Sequence, residues 1–224
     1  METPPVYVAE PVYLVQALYA PLITPGARPA CIRDHLERLA DRLHAGLSEG
    51  HPGADVELAR WHPDPARAPR TREAARLTVA RAHGFDTWQA VAALGEAPLS
   101  PAFEAAVDAL VAGHAEALQR LLIEYPALAA RRSPYGHGAT LLHYLTGTGV
   151  ELYRQAVPLN APALVRLLIG HGADARAVAH CDGRPSTALA LATVSPHPVA
   201  AGIDASLIEA LVEAARAATA GPAA

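Results

Sequence analysis

The stretch GATLLHYLTGTGVELYRQAVPLNAPALVRLLIGHGAD, Gly138 to Asp174, decides the fold. Its two ends form helices and its middle does not. Thr140 opens an apolar run that reaches Leu145, and Thr146-Gly147-Thr148-Gly149 then breaks it, because glycine is costly in a helix interior. Asn160 can cap a second helix with Pro162 in its first turn, where the missing N–H is harmless, and Gly172 can close it. Between the two lies a polar insert that carries Tyr153, Arg154 and Gln155 in a row and is stiffened by Pro158.

Working outward, the pattern recurs. Ala105 to Pro126 reads AAVDALVAGHAEALQRLLIEYP, two helical runs about a Gly113-His114 turn. Thr187-Ala188-Leu189-Ala190-Leu191-Ala192 repeats the Thr140-Leu141-Leu142-His143-Tyr144-Leu145 block more weakly, with Ala190 in place of His143. Both blocks resemble the T-P-L-H-x-A signature of ankyrin repeats, units of about 33 residues made of a turn and two helices. In such a repeat the signature Thr lies about 21 residues before the Gly that ends the second helix. Here Thr140 and Gly172 are 32 positions apart, and Thr187 and the equivalent Ala215 are 28 apart. Both excesses fall between the inner and the outer helix. In the second, Pro196 and Pro198 stop the inner helix and Asp204 caps the outer one. Stacked repeats set equivalent loops side by side, so the two inserts should be neighbours.

Three blocks sharpen the resemblance: ATLLHYLTGTGVELYRQAVPLNA, GADARA and ATVSPHPVAAG. They resemble a group of bacterial ankyrin-repeat proteins with an ATLLHY…GVE.YRQ.TP.NA block, a GAxVDA turn and an ATSxHP..AG block. Upstream, EAARLTVARAHGFDTWQAVAAL resembles the GFxSW-type helical cap of such proteins. The likeness covers about residues 31–216. The chain lacks the Val-Asp of the turn, the glycine pair before the second Thr and the final Gly. The resemblance implies an α-solenoid that commonly binds proteins, and no particular reaction.

The N-terminal part is punctuated differently. Residues 1–30 are apolar and interrupted by prolines, with Tyr7, Tyr13 and Tyr19 evenly spaced, and read as an arm packed on the body, or as a dimer arm or lid. Residues 31–48 form the first clear helix, with Ile32, Leu36, Leu39, Leu43 and Leu47 on one stripe. Pro63, Pro65 and Pro69 make ELARWHPDPARAPR, residues 57–70, a linker. Residues 71–94 read helix, turn, helix, with Thr71 as a cap. A DNA-binding regulator acting through that hairpin is a third reading, disfavoured because its second helix has no basic residue. The expected divisions are an arm over 1–30, a helical cap region over 31–95, about three repeats over 101–218 and a tail over 219–224.

Bulk properties set the outer limits. The chain has 224 residues, 51% hydrophobic and only 5% aromatic, which suits thin, close-packed helices. All 18 basic residues are Arg, a hint of a GC-rich bacterial genome, and the net charge of −4 argues against a general nucleic-acid binder. Two cysteines, Cys31 and Cys181, are too few for a disulfide framework and point to a reducing cytoplasm. The apolar N-terminus has no basic segment and is too short for a membrane span. His180-Cys181-Asp182 are adjacent residues and a poor metal set, and no phosphate-binding or hydrolase motif is present, so no cofactor is expected.

The fold expected is therefore all-α, an ankyrin-type α-solenoid behind an N-terminal helical cap. The leading function is a cytoplasmic module that binds a protein partner, with Arg154, Gln155, His143 and Tyr144 as contact residues. His143 also fits the structural hydrogen bond that the signature His makes across its turn. The alternative is a small-molecule site or enzyme, enclosed by the two inserts and the N-terminal arm. There Arg154 would hold a small anion, and His197 or Tyr153 would move a proton.

Overall fold

The computed structural model describes residues 5–24 and 26–220, with side chains to 218. It is predominantly helical. Twelve α-helices run in order among these residues: α1 Glu10–Ile23, α2 Ile32–Glu49, α3 Pro52–Trp61, α4 Arg72–Ala82, α5 Trp88–Ala92, α6 Pro101–Val111, α7 Ala115–Glu124, α8 Leu141–Tyr144, α9 Ala161–Gly170, α10 Ala188–Val194, α11 Pro196–Ala200 and α12 Asp204–Ala220. Two short antiparallel pairs complete it. Strand β1, Val6–Tyr7, pairs with β2, Val157–Pro158, and β3, Val178–Cys181, pairs with β4, Arg184–Thr187.

The elements divide into two layers, each with its own apolar core. The first is α1 to α5, with Val15, Leu18, Leu36, Leu39 and Leu43 fully buried. The second holds α6 to α12, in which α6 packs on α7, α8 on α9 and α10 on α12, while α9 also meets α12. Local signals set the ends. The hydroxyls of Thr71, Thr87, Ser100 and Thr187 each accept a backbone N–H at a helix start. Gly50, in the left-handed region at φ 71°, closes α2.

Three sequence expectations need adjustment. The N-terminal arm contains a helix, α1, so the helix over 31–48 is not the first. Pro11 lies in its first turn, where proline interrupts least, and Pro21 sits inside the helix two residues before its end, so only the last turn loses a backbone hydrogen bond. Residues 1–4 and Pro25 of the expected arm lie outside the described residues. The linker also starts later than the expected Glu57, because Glu57 to Trp61 complete α3 before Pro63. Finally, the second insert is not a plain loop: Pro196, in the first turn of α11, starts a helix as well as ending one. The expected tail begins at 219, where side chains are no longer described.

The layers meet along the first insert. Leu152 and Tyr153 leave the second layer and join the core of the first. β1 lies against the same insert, and Gln16 donates to the Tyr153 carbonyl at 3.0 Å. A second seam joins Gly84 to Gly136 and His137, so closely that a Cβ on Gly84 would lie 2.2 Å from the His137 nitrogen.

Candidate functional site

The seam between the layers is polar at its centre. Arg154 sits in a 3-10 turn, Leu152–Arg154, that the Gly147 and Gly149 turns release from α8. Its side chain is 2% exposed, donating to Glu104 at 2.6 Å and to Asp108 at 3.2 Å, with Glu151 at 3.7 Å. Glu104 and Asp108 stand one turn apart on α6, so both carboxylates face the insert. Arg28 clamps Asp108 from the other side with bonds of 2.6 and 2.9 Å. The guanidinium of Arg154 also lies over the rings of Tyr144 and Tyr153, at 5.8 and 5.7 Å.

Glu151 extends this network inward. It is fully buried, accepts the Tyr144 hydroxyl at 3.4 Å and faces Nε2 of His137 at 3.6 Å. Burial works against its charge, but His137 and the Arg154 guanidinium outweigh that and hold the carboxyl down at about 2. The His137 Nδ1 accepts the Ala139 N–H at 3.0 Å, which leaves the proton on Nε2, towards Glu151.

Around the network lies a shell of buried polar groups. His83 donates from Nδ1 to the Val79 carbonyl at 2.8 Å, so its Nε2, 3.3 Å from the Tyr153 hydroxyl, is the acceptor. Burial lowers His83 to about 4 and His35 to about 3. Burial also raises Glu57 to about 8, with the Tyr19 hydroxyl beside it. Both ring nitrogens of His35 and the hydroxyl of Tyr135 have no hydrogen-bond partner among the described residues, and Glu57 and Tyr19 are buried against each other. Such groups are expensive to bury when they lack partners.

His137, itself buried, lines a cleft of about 490 Å³ between the ends of α3 and α4 and the β3–β4 hairpin. Arg60, Trp61, Arg81, Asp86 and His180 line the walls. Arg60 bridges the cleft by an ion pair of 2.9 Å to Asp182 at the hairpin tip. That tip is Asp182-Gly183, with φ values of 51° and 72°, the left-handed pair a two-residue hairpin demands. Arg81 and Asp86 have no ion-pair partner among the described residues. The hairpin is fastened by His180 N–H to the His137 carbonyl at 2.8 Å and by Arg132 to the Gly138 and Val178 carbonyls.

The residues singled out in the sequence fall into two groups. Tyr153, Arg154 and Tyr144 belong to the buried seam, and Arg154 is engaged by the chain's own carboxylates. Gln155 braces its loop, donating to the Val150 carbonyl at 2.6 Å. His143 holds Thr140 through Nδ1 and the Ser186 carbonyl through Nε2 at 3.2 Å, and burial lowers it to about 4. His197 is the partly exposed member. Its Nδ1 meets the Gln155 carbonyl at 3.0 Å and its ring lies 6.2 Å from that of Tyr7. The two inserts and the N-terminal strand thus do come together.

Sequence reading missed Glu151, Glu104, His137 and Glu57, and the cleft residues Arg60, Trp61 and Arg81. One signal was available: Glu104 and Asp108 interrupt the apolar run of α6 at a four-residue spacing. Among the described residues, no three His, Cys, Asp or Glu side chains converge to hold a metal, and no helix is long and apolar enough to cross a membrane. No family model matches the chain, and no curated protein or solved structure shows significant similarity to it.

Proposed function

We propose that the chain is an ankyrin-type repeat protein that binds a small polar ligand in the cleft floored by His137. The observation that carries this reading is the cleft itself. Its 490 Å³ lies within the ordinary range for small-molecule sites, and opposite charges converge on it around an indole ring. The repeat reading draws on the stacked helix pairs α6–α7, α8–α9 and α10–α12, and on the bond from His143 to the next unit. The free cysteines and the Arg-rich composition suit a bacterial cytoplasm.

Binding fits the cleft better than proton transfer. Nδ1 of His137 is occupied by a backbone N–H and Nε2 is buried towards Glu151. Burial raises the Tyr153 hydroxyl above its ordinary value, which makes it a poor proton donor. The test is a thermal-shift screen of the intact chain against small polar metabolites, repeated on Trp61→Ala and Arg81→Ala. A stabilising compound should lose roughly tenfold or more in affinity in either variant, about 1.4 kcal/mol. A response that survives both substitutions, or a chain that no polar compound stabilises, overturns the reading.

A second reading, a protein partner on the repeats, is favoured by Val194 and Val199. They flank the start of α11 and are 74% and 60% exposed. Replacing both with Asp should abolish a partner complex while preserving the melting temperature, and an unchanged complex would remove that reading.

A further inference from the structure

The two carboxylates of α6 reach another cleft, of about 550 Å³. Pro101, Ala105 and Ala109 of α6 form one wall, and Pro29 and Ala30, in the segment leading into α2, form the other. The Leu99 N–H bonds the Ala30 carbonyl at 2.8 Å and ties the walls together at one end. Arg28, Glu104 and Asp108 supply the charged groups of the lining, and His114 also lines it.

The charges there balance. Arg28 and Arg154 pair with Glu104 and Asp108, while Glu151 faces His137 and does not line the cleft. A charged ligand would bring an uncompensated charge to a desolvated place, which is costly. The hydrogen bonds, unlike the charges, do not close. Both terminal nitrogens of Arg28 are engaged, by Asp108 and by the Ile23 carbonyl. Its Nε lies 3.6 Å from Glu104 Oε2 and makes no hydrogen bond among the described residues. Oε1 of Glu104 makes none there either. The two side chains are 10% and 4% exposed. The lining thus carries one donor and one acceptor without partners, on neighbouring side chains beside apolar walls.

We propose that this cleft is a second binding site, for a small neutral amphiphile with a primary amide head. Its carbonyl accepts from Arg28 Nε, its amide nitrogen donates to Glu104 Oε1, and its hydrocarbon part lies along the alanine face of α6. A primary amide holds an acceptor and a donor side by side without net charge, which matches the two unpartnered groups and the balanced ions. A methyl ketone of the same shape supplies the acceptor alone and leaves the carboxylate oxygen unpaired. Each methylene buried on the walls adds roughly fourfold in affinity.

The test titrates the intact chain with hexanamide, 2-heptanone, hexanoate and n-hexylammonium at one ionic strength, followed by calorimetry. Hexanamide should bind about tenfold or more tightly than each of the other three. Ala105, exposed on α6, can be enlarged without touching an ionic group, so Ala105→Leu should abolish that binding at an unchanged melting temperature. Arg28→Lys keeps a cation for Asp108 but lacks the Nε–H, and should weaken hexanamide about tenfold. If this variant does not fold, Ala105→Leu and the four-probe comparison decide. A ketone that binds as tightly as the amide shows a merely apolar cleft and overturns the assignment. So does equal or tighter binding of either ion, amide binding that persists in Ala105→Leu or is unchanged in Arg28→Lys, or no binding of hexanamide.

Discussion

Arg154 shows how one side chain changes meaning between sequence and structure. In the sequence it is a cation in a loop. In the fold it is the hub on which Glu104, Asp108 and Glu151 converge. Removing it leaves buried carboxylates without their cation, so Arg154→Met should cost about 3–5 kcal/mol in chemical denaturation. A loss under about 1 kcal/mol would mean that the network contributes little. Glu57 sets a different dependence. Its folded value of about 8 lies above its ordinary carboxylate value, so its stabilising contribution is full below pH 4.5 and is lost as pH rises towards 8. Glu57→Gln should therefore gain on the wild type between those limits, on the order of 1 kcal/mol per pH unit. His35 and His83 act in the opposite direction. Their folded values of about 3 and 4 lie below the ordinary imidazole value, so stability is lost as pH falls from about 6.5 through them. Denaturation midpoints measured from pH 3 to 9 check both signs.

At the scale of the elements, the seam depends on backbone placed against backbone. Gly84 is in the left-handed region at φ 78°, and the atom that a side chain would meet is the His137 nitrogen. No flexible group there can move aside. Gly84→Ala should therefore destabilise the chain by more than the roughly 1 kcal/mol of an ordinary glycine substitution, and should weaken ligand binding in the His137 cleft. Calorimetry on the variant reads both; an unchanged melting temperature would show that the seam yields easily. The helices themselves were legible. The leucine stripe of α2, the Thr71 cap of α4 and the Gly113 turn between α6 and α7 are local signals, and each appears where its residues place it. The helix α1 was not legible, because two prolines within fourteen residues read as loop unless their positions at the two ends are known.

For the molecule as a whole, the two layers share the first insert, β1 and the buried ion network. Heating should therefore give one cooperative transition, since neither core is complete alone: Leu152 and Tyr153 come from the second layer and pack in the first. Two separate calorimetric transitions would contradict this. The sequence by itself determined the helical class and the punctuation between segments, because these follow from periodicity, proline and glycine at close range. Only the tertiary structure decided what the inserts do. Tyr153, Arg154 and Gln155 have the composition of an exposed recognition loop and the environment of a core. The groups that turn them inward, Glu104 and Asp108 on α6 and Gln16 on α1, lie 46 to 137 positions away. No local pattern encodes a desolvated charge, because its partner is supplied by a different element and its burial by the closure of both layers.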